Sequence, residues 1–162
     1  MADEDRRVVA CPTCATLNRL PGARLGEGGR CGRCGNSLFQ GQPVELNSAN
    51  FEQHSASSDI PLLVEFWAGW CGPCRQMAPI FAAAAAKLEP NLRLGKIDTE
   101  AEQALAARFV IQSIPSLVLV EKGRTIARTA GARPESALIE WIEDAMTSRH
   151  RHFPSHSVGG RS

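Results

Sequence analysis

Residues 60–88 read IPLLVEFWAGWCGPCRQMAPIFAAAAAKL, and this stretch decides the fold. Ile60–Trp67 contains LLVEFW, an apolar run broken by one acid, Glu65, the pattern of a strand covered on both faces. Through Ala68-Gly69 it reaches Trp70-Cys71-Gly72-Pro73-Cys74 and then a helical stretch, Arg75–Leu88, favoured by alanines at 82–86. Pro79 predicts a kink, and Glu89-Pro90-Asn91 ends the helix. Two residues between cysteines allow a disulfide across one helical turn. The first cysteine then lies at the helix end, where free N–H groups and the macrodipole favour a thiolate. Cys71 is therefore the nucleophile, and Cys74 resolves the mixed disulfide that Cys71 forms. Two inert cysteines, or half of a metal site, are the competing readings. Pro73 and the lack of a second pair nearby weigh against metal.

Moving outward, Leu92, Leu94 and Ile97 form a second strand, and Thr99 with Glu102 reads as a capping box opening a helix to about Arg108. Ser116–Glu121 and Thr125–Thr129 flank Lys122-Gly123-Arg124 as a hairpin. Pro134 suits the first turn of a last helix, whose apolar face is Ala137, Leu138, Trp141, Ile142 and Ala145. The order strand, helix, strand, helix, strand, strand, helix implies an α/β fold with a mixed central sheet and helices on both faces. Inside the first strand, Glu65 is a costly buried carboxylate whose pKa should rise, placed to relay a proton to the deeper cysteine. The competing reading is a solvent-facing acid on an edge strand. Ile114-Pro115, just before a strand, is a candidate cis bond.

The chain has six cysteines, all in CxxC pairs. Cys11-Pro-Thr-Cys14 and Cys31-Gly-Arg-Cys34, with 16 residues between them, offer four thiolates for one tetrahedral ion, and Gly35 follows the second pair. We expect one structural Zn²⁺ per chain, held with no open position for water. Rubredoxin-like iron would use the same ligands, and disulfides among the four are the other alternative. Zinc on four thiolates would shift the formal net charge from +1 to about −1.

The 162 residues suffice for one ordinary domain and a small module. We place a zinc-binding knuckle at 1–40, a connector with an edge strand around Val44–Leu46 at 41–50, the main domain at 51–146, and a disordered His/Ser/Gly-rich tail at 147–162. Eighteen basic against seventeen acidic residues advertise neither nucleic acid nor anionic lipid, although Arg19, Arg24, Arg30 and Arg33 give the knuckle a basic face. No apolar run reaches the roughly 18 residues of a membrane span, and MADEDRRVVACPTC shows no secretory signal core. His54 stands alone near a helix start, and His150, His152 and His156 in the tail read as solvated. No glycine-rich phosphate loop or Ser-His-acid set accompanies the cysteines.

FWAGWCGPCRQMAPIF, KIDTE at 96–100, SIPSLVLVEKG at 113–123 and TAG at 129–131 together resemble the thioredoxin family. CPTC…CGRCGNSLF resembles its zinc-binding second bacterial subclass, so that the likeness spans about 140 residues. The resemblance implies the thioredoxin fold and a protein-disulfide reductase of the cytoplasm, acting on disulfide-containing proteins and restored by thioredoxin reductase at NADPH's expense. It implies no tightly bound organic cofactor. It makes Cys71 the exposed nucleophile, Cys74 the resolving thiol and Pro115 the cis-proline facing them. Trp70, Gly72, Pro73, Ile114 and Gly131 line the substrate groove, and Lys96 faces the buried acid from the next strand. The family's usual aspartate is Glu65 here. An oxidant or isomerase on the same fold, and a zinc-centred regulator or chaperone, are the rival functions.

Overall fold

The computed structural model describes residues 5–159, with side chains to residue 149. Its centre is β4 (Leu62–Trp67), whose first five residues are buried. β4 pairs in parallel with β5 (Arg93–Asp98) and antiparallel with β6 (Ser116–Glu121). β7 (Arg124–Ala130) extends the sheet beyond β6, and β3 (Val44–Glu45) lies parallel to β5 at the other edge. The order is β3-β5-β4-β6-β7, so the connector does contribute an edge strand. Lys122 and Gly123 both adopt positive φ (52° and 80°), which closes the β6–β7 hairpin in two residues.

Strand periodicity sorts the core into two layers. Leu62, Val64 and Phe66 face one side with Phe51, Leu105, Val118 and Val120. Leu63 faces the other, where α1 (Gly72–Leu88) adds Met77, Phe81, Ala84 and Ala85, and α3 (Glu135–Gly159) adds Leu138, Ile142 and Ala145. Pro79 sits inside α1. The mixed sheet with helices on both faces is the thioredoxin fold expected of the sequence.

Three local expectations are corrected. α1 begins at Gly72 rather than Arg75, because Pro73 occupies its first turn and Cys71 caps it. Thr99 and Glu102 form no capping box: Thr99 Oγ1 donates to the Trp67 carbonyl, Glu102 Oε1 accepts from Ser48 N, and α2 (Gln103–Arg108) starts without a side-chain cap. α3 continues past 146, where the sequence reading placed a disordered tail. Arg149 holds the added turn through Glu121 (3.4 Å) and Met146 Sδ (3.0 Å). Residues 160–162 and the tail histidines' side chains lie outside the described residues.

The N-terminal lobe has its own antiparallel pair, β1 (Arg6–Ala10) and β2 (Leu17–Pro21), joined by the Cys11–Cys14 turn, and the Cys31–Cys34 turn follows further along the chain. It packs on the main domain through Val9, Cys11, Cys31, Leu38 and Ile60.

Candidate functional site: a redox pair and a four-cysteine cluster

Cys71 and Cys74 are joined by a disulfide with Cα atoms 5.2 Å apart, at the junction of β4 and α1. Cys71 is the N-cap of α1, and its Sγ accepts from Cys74 N at 3.2 Å. An N–H aimed at this sulfur, at the positive end of a 17-residue helix, stabilises a thiolate once the bond is reduced. The sulfur also lies 3.8 Å from the Ile114 carbonyl. Ile114–Pro115 is cis, as its place before β6 suggested, and Pro115 O accepts from Gly131 N (2.8 Å). Trp70, 68% exposed, stands beside the pair with Gly72 and Pro73 at the surface of the first helical turn. The structure thus brings Trp70, Cys71, Gly72, Pro73, Cys74, Ile114, Pro115 and Gly131 to one end of the sheet.

Glu65 is fully buried on the central strand, so the edge-strand alternative falls. It shares the Leu63 side of β4, the layer into which Cys74, Met77 and Phe81 of α1 project. Neither carboxylate oxygen has a protein hydrogen-bond partner. Burial pushes its pKa up to about 7 against the opposing pull of Lys96. Lys96 is its direct neighbour across the β4–β5 register, and its ammonium lies over the Trp67 ring, 4.8 Å from the centroid.

The four remaining cysteines converge, with all Sγ atoms within 4.8 Å of one another. Cys11–Cys34 and Cys14–Cys31 sulfurs are each 3.6 Å apart. Tetrahedral zinc with bonds of about 2.3 Å requires sulfurs roughly 3.8 Å apart, so the donor set fits. The two knuckles repeat one geometry. Cys11 N–H donates to Thr16 O and Ala15 N–H to Cys11 O; Cys31 N–H donates to Asn36 O and Gly35 N–H to Cys31 O, all at 2.9 Å. Backbone N–H groups of Thr13 and Arg33 point at Cys11 and Cys31 sulfurs (3.3 and 3.4 Å), a further match to thiolate ligands.

The cluster and the redox pair occupy opposite poles. Cys71 follows the end of β4, whereas the lobe docks at the beginning of β5, where Arg93 pairs with Leu62. The length of β4 alone separates those levels by about 17 Å. The sequence assigns no docking role to the residues that make this contact. Arg93 and Glu89 are buried, and His54 is buried with Nε2 unpartnered, its pKa pushed down to about 4 by burial and by the Arg93 charge. Their only signal was a charge or imidazole beside apolar residues, which exposed side chains share.

A capped dithiol beside a cis-proline on a β-sheet of this order defines a thiol–disulfide oxidoreductase. The comparisons narrow the class. The thioredoxin family profile matches residues 42–144, and a zinc-ribbon profile described as the thioredoxin 2 N-terminus matches residues 10–36. The chain belongs to the thioredoxin family. It is 41% identical over 139 residues to thioredoxin C-3 of Corynebacterium nephridii, covering 86% of this chain and 95% of that one. It is 43% identical over 102 residues to a putative thioredoxin 2 of Streptomyces coelicolor, covering 63% and 75%. Among solved structures, a mutant thioredoxin from Halobacterium salinarum superposes with a TM-score of 0.58 at 28% identity, covering 65% and 91%. Fold, family and redox disulfide together make the chain a disulfide reductase.

Proposed function

We propose that the chain reduces disulfides in cytosolic proteins through Trp70-Cys71-Gly72-Pro73-Cys74 and is itself reduced by a thioredoxin reductase using NADPH. The observation that carries this is Cys71 Sγ at the N-cap of α1 with Cys74 N–H aimed at it. The Cys71 thiolate attacks one substrate sulfur, forms a mixed disulfide and expels the other sulfur as a thiolate, which takes up a proton. Cys74 then loses its proton and attacks Cys71 Sγ, closing the Cys71–Cys74 bond and releasing the second substrate thiol. Two electrons pass from the dithiol to the substrate.

Glu65 and Lys96 act behind Cys74. A carboxyl poised near 7 accepts and returns the resolving thiol's proton at neutral pH. Trp70, Gly72, Pro73, Ile114, Pro115 and Gly131 form the groove. Pro115 has no N–H, so its backbone contact to an extended substrate uses its carbonyl, which accepts from Gly131 through one of two lone pairs. Cys11, Cys14, Cys31 and Cys34 hold one structural Zn²⁺, which supplies folding energy and no redox chemistry.

The test is NADPH oxidation by a bacterial thioredoxin reductase in the presence of this chain and a protein disulfide. Turnover should vanish in Cys71→Ser, whereas unchanged reduction would reject the reading in favour of a binding module. A reduction potential near −180 mV in place of about −270 mV would point to an oxidant or isomerase.

A further inference from the structure

The strand order lays out a line across the redox pole. β5, β4 and β7 end there and β6 begins there. Residues 98–102, Trp70-Cys71, Ile114-Pro115 and residues 131–133 therefore follow one another in the order β5-β4-β6-β7. Three strand spacings of about 4.8 Å set the outer columns roughly 14 Å apart, with Cys71 between them.

The two ends carry opposite charge. Asp98, the last residue of β5, is followed by Glu100 and Glu102 with no base among them, whereas residues 128–134, at the end of β7 and just beyond it, hold Arg128 and Arg133 with no acid. The charge at each rim is held in place by uncharged atoms. Glu100 Oε2 accepts from Trp70 Nε1 at 2.8 Å, and Glu100 N–H donates to Asp98 Oδ1 at 2.9 Å. Arg133 Nη2 donates to Thr129 Oγ1 (3.1 Å) and to the Ala130 carbonyl (2.9 Å), and its Nε to the Gly131 carbonyl (3.4 Å). Among the described residues neither Glu100 nor Arg133 is in an ion pair. Arg75 belongs to the middle column, where its Nη1 donates to the Gly69 carbonyl at 2.7 Å.

We propose that this groove is charge-polarised, with Glu100 and Arg133 as its specificity-determining ends. It selects disulfide-bearing segments with a basic residue on one flank of the reacting cysteine and an acidic residue on the other, in one of the two orders. An extended chain covers about 14 Å in four residues, the span between the two outer columns, so the two recognised charges stand four positions apart with the reacting cysteine between them. The inference rests on the reductase reading above and adds the class of substrate to it.

The test uses peptides carrying one cysteine in disulfide linkage to 5-thio-2-nitrobenzoate. One has Lys two residues before and Glu two residues after the cysteine, one has the reverse order, and one is neutral. The second-order rate constant for reduction by the reduced chain is read from the released chromophore. At low salt the two charged orders should differ about five- to tenfold, the sum of several exposed charge contacts, and the ratio should collapse toward one in about 0.5 M salt. Glu100→Gln, which keeps an acceptor for Trp70, and Arg133→Gln should each reduce the ratio. The double variant Glu100→Lys/Arg133→Glu should invert it. A ratio near one in the unaltered chain at low salt, or one that the double variant does not invert, overturns the proposal. Failure to reduce even the neutral peptide would instead count against the reductase reading itself.

Discussion

Arg93 Nη1 lies 2.7 Å from Glu89 Oε2, with the two side chains only 2% and 4% exposed. The guanidinium's other nitrogen, Nη2, donates to the carbonyls of Ala10 and Leu38, both at 2.9 Å, and the group lies over the Phe39 ring. Glu89 Oε1 accepts from Gly41 N at 2.8 Å. Ala10 immediately precedes the cluster residue Cys11, so one buried ion pair fastens the cysteine lobe to the first residue of β5. Burial lowers the Arg93 pKa, and the Glu89 carboxylate opposes that shift.

Removing one partner of such a pair strands the other charge in the interior. Arg93→Met should lower the urea-unfolding free energy by about 3–5 kcal/mol. Adding Glu89→Gln should recover part of that loss, because the stranded carboxylate disappears with it. The coupling in the double-mutant cycle should be about 1–3 kcal/mol. Additive losses would show that the ion pair does not fasten the lobe.

Glu65 sets a pH dependence of known sign. Its carboxyl titrates near 4.5 unfolded and about 7 folded, so between those values the native state binds the extra proton. The stability this gives is fully present below about pH 4.5 and is lost as pH rises through about 7. At about 1.4 kcal/mol per unit, the loss is on the order of 3 kcal/mol. Glu65→Gln should therefore flatten the difference between pH 5 and pH 8 in denaturant titrations and gain stability chiefly at pH 8. In the reductase assay the same variant should lose the inflection near pH 7. A variant profile parallel to that of the unaltered chain would place the titration elsewhere.

Much of this site was legible because its chemistry is written in short contiguous motifs. Trp70-Cys71-Gly72-Pro73-Cys74 carries its own helix cap, and the apolar run around Glu65 points to a doubly covered strand, although only the strand order removes the edge position. The cluster was legible for the same reason, since two CxxC turns need only be brought together. The dock between the lobes was not. Arg93 reaches Ala10 and Leu38 across 83 and 55 residues, and such pairings depend on the folded topology rather than on any local pattern. The Thr99–Glu102 reading failed for a related reason. Thr99 found the Trp67 carbonyl on the neighbouring strand before it could cap its own helix.

Metal removal separates the two poles. The cluster sits at the end of the sheet away from Cys71, and Cys11 and Cys31 are part of the packed interface with Leu38 and Ile60. Stripping the ion with a chelator under reducing conditions should lower the melting temperature. Below that lowered melting point, turnover per molecule should stay within about twofold of the metal-loaded protein, since no cluster sulfur reaches the redox groove. Metal content measured beside a reductase-coupled assay checks both halves. A large loss of turnover in folded, metal-free chain would show that the cluster takes part in the chemistry.

The two knuckles also make a paired prediction about backbone strain. Ala15 and Gly35 hold the same place, one residue after the second cysteine of each pair, and both adopt positive φ, 66° and 81°. For Gly35 that conformation is free of steric cost. For Ala15 the Cβ crowds the following carbonyl, a penalty of about 1–2 kcal/mol in the left-handed region. A Cβ built on Gly35 meets nothing within 4 Å, so only the backbone conformation distinguishes the two sites. Ala15→Gly should therefore stabilise the metal-loaded chain by up to about 1 kcal/mol, the gain being trimmed by glycine's greater unfolded-state entropy. Gly35→Ala should destabilise it by a similar amount or more. Denaturant midpoints of the two variants should move in opposite directions, and shifts of the same sign would contradict the shared knuckle geometry.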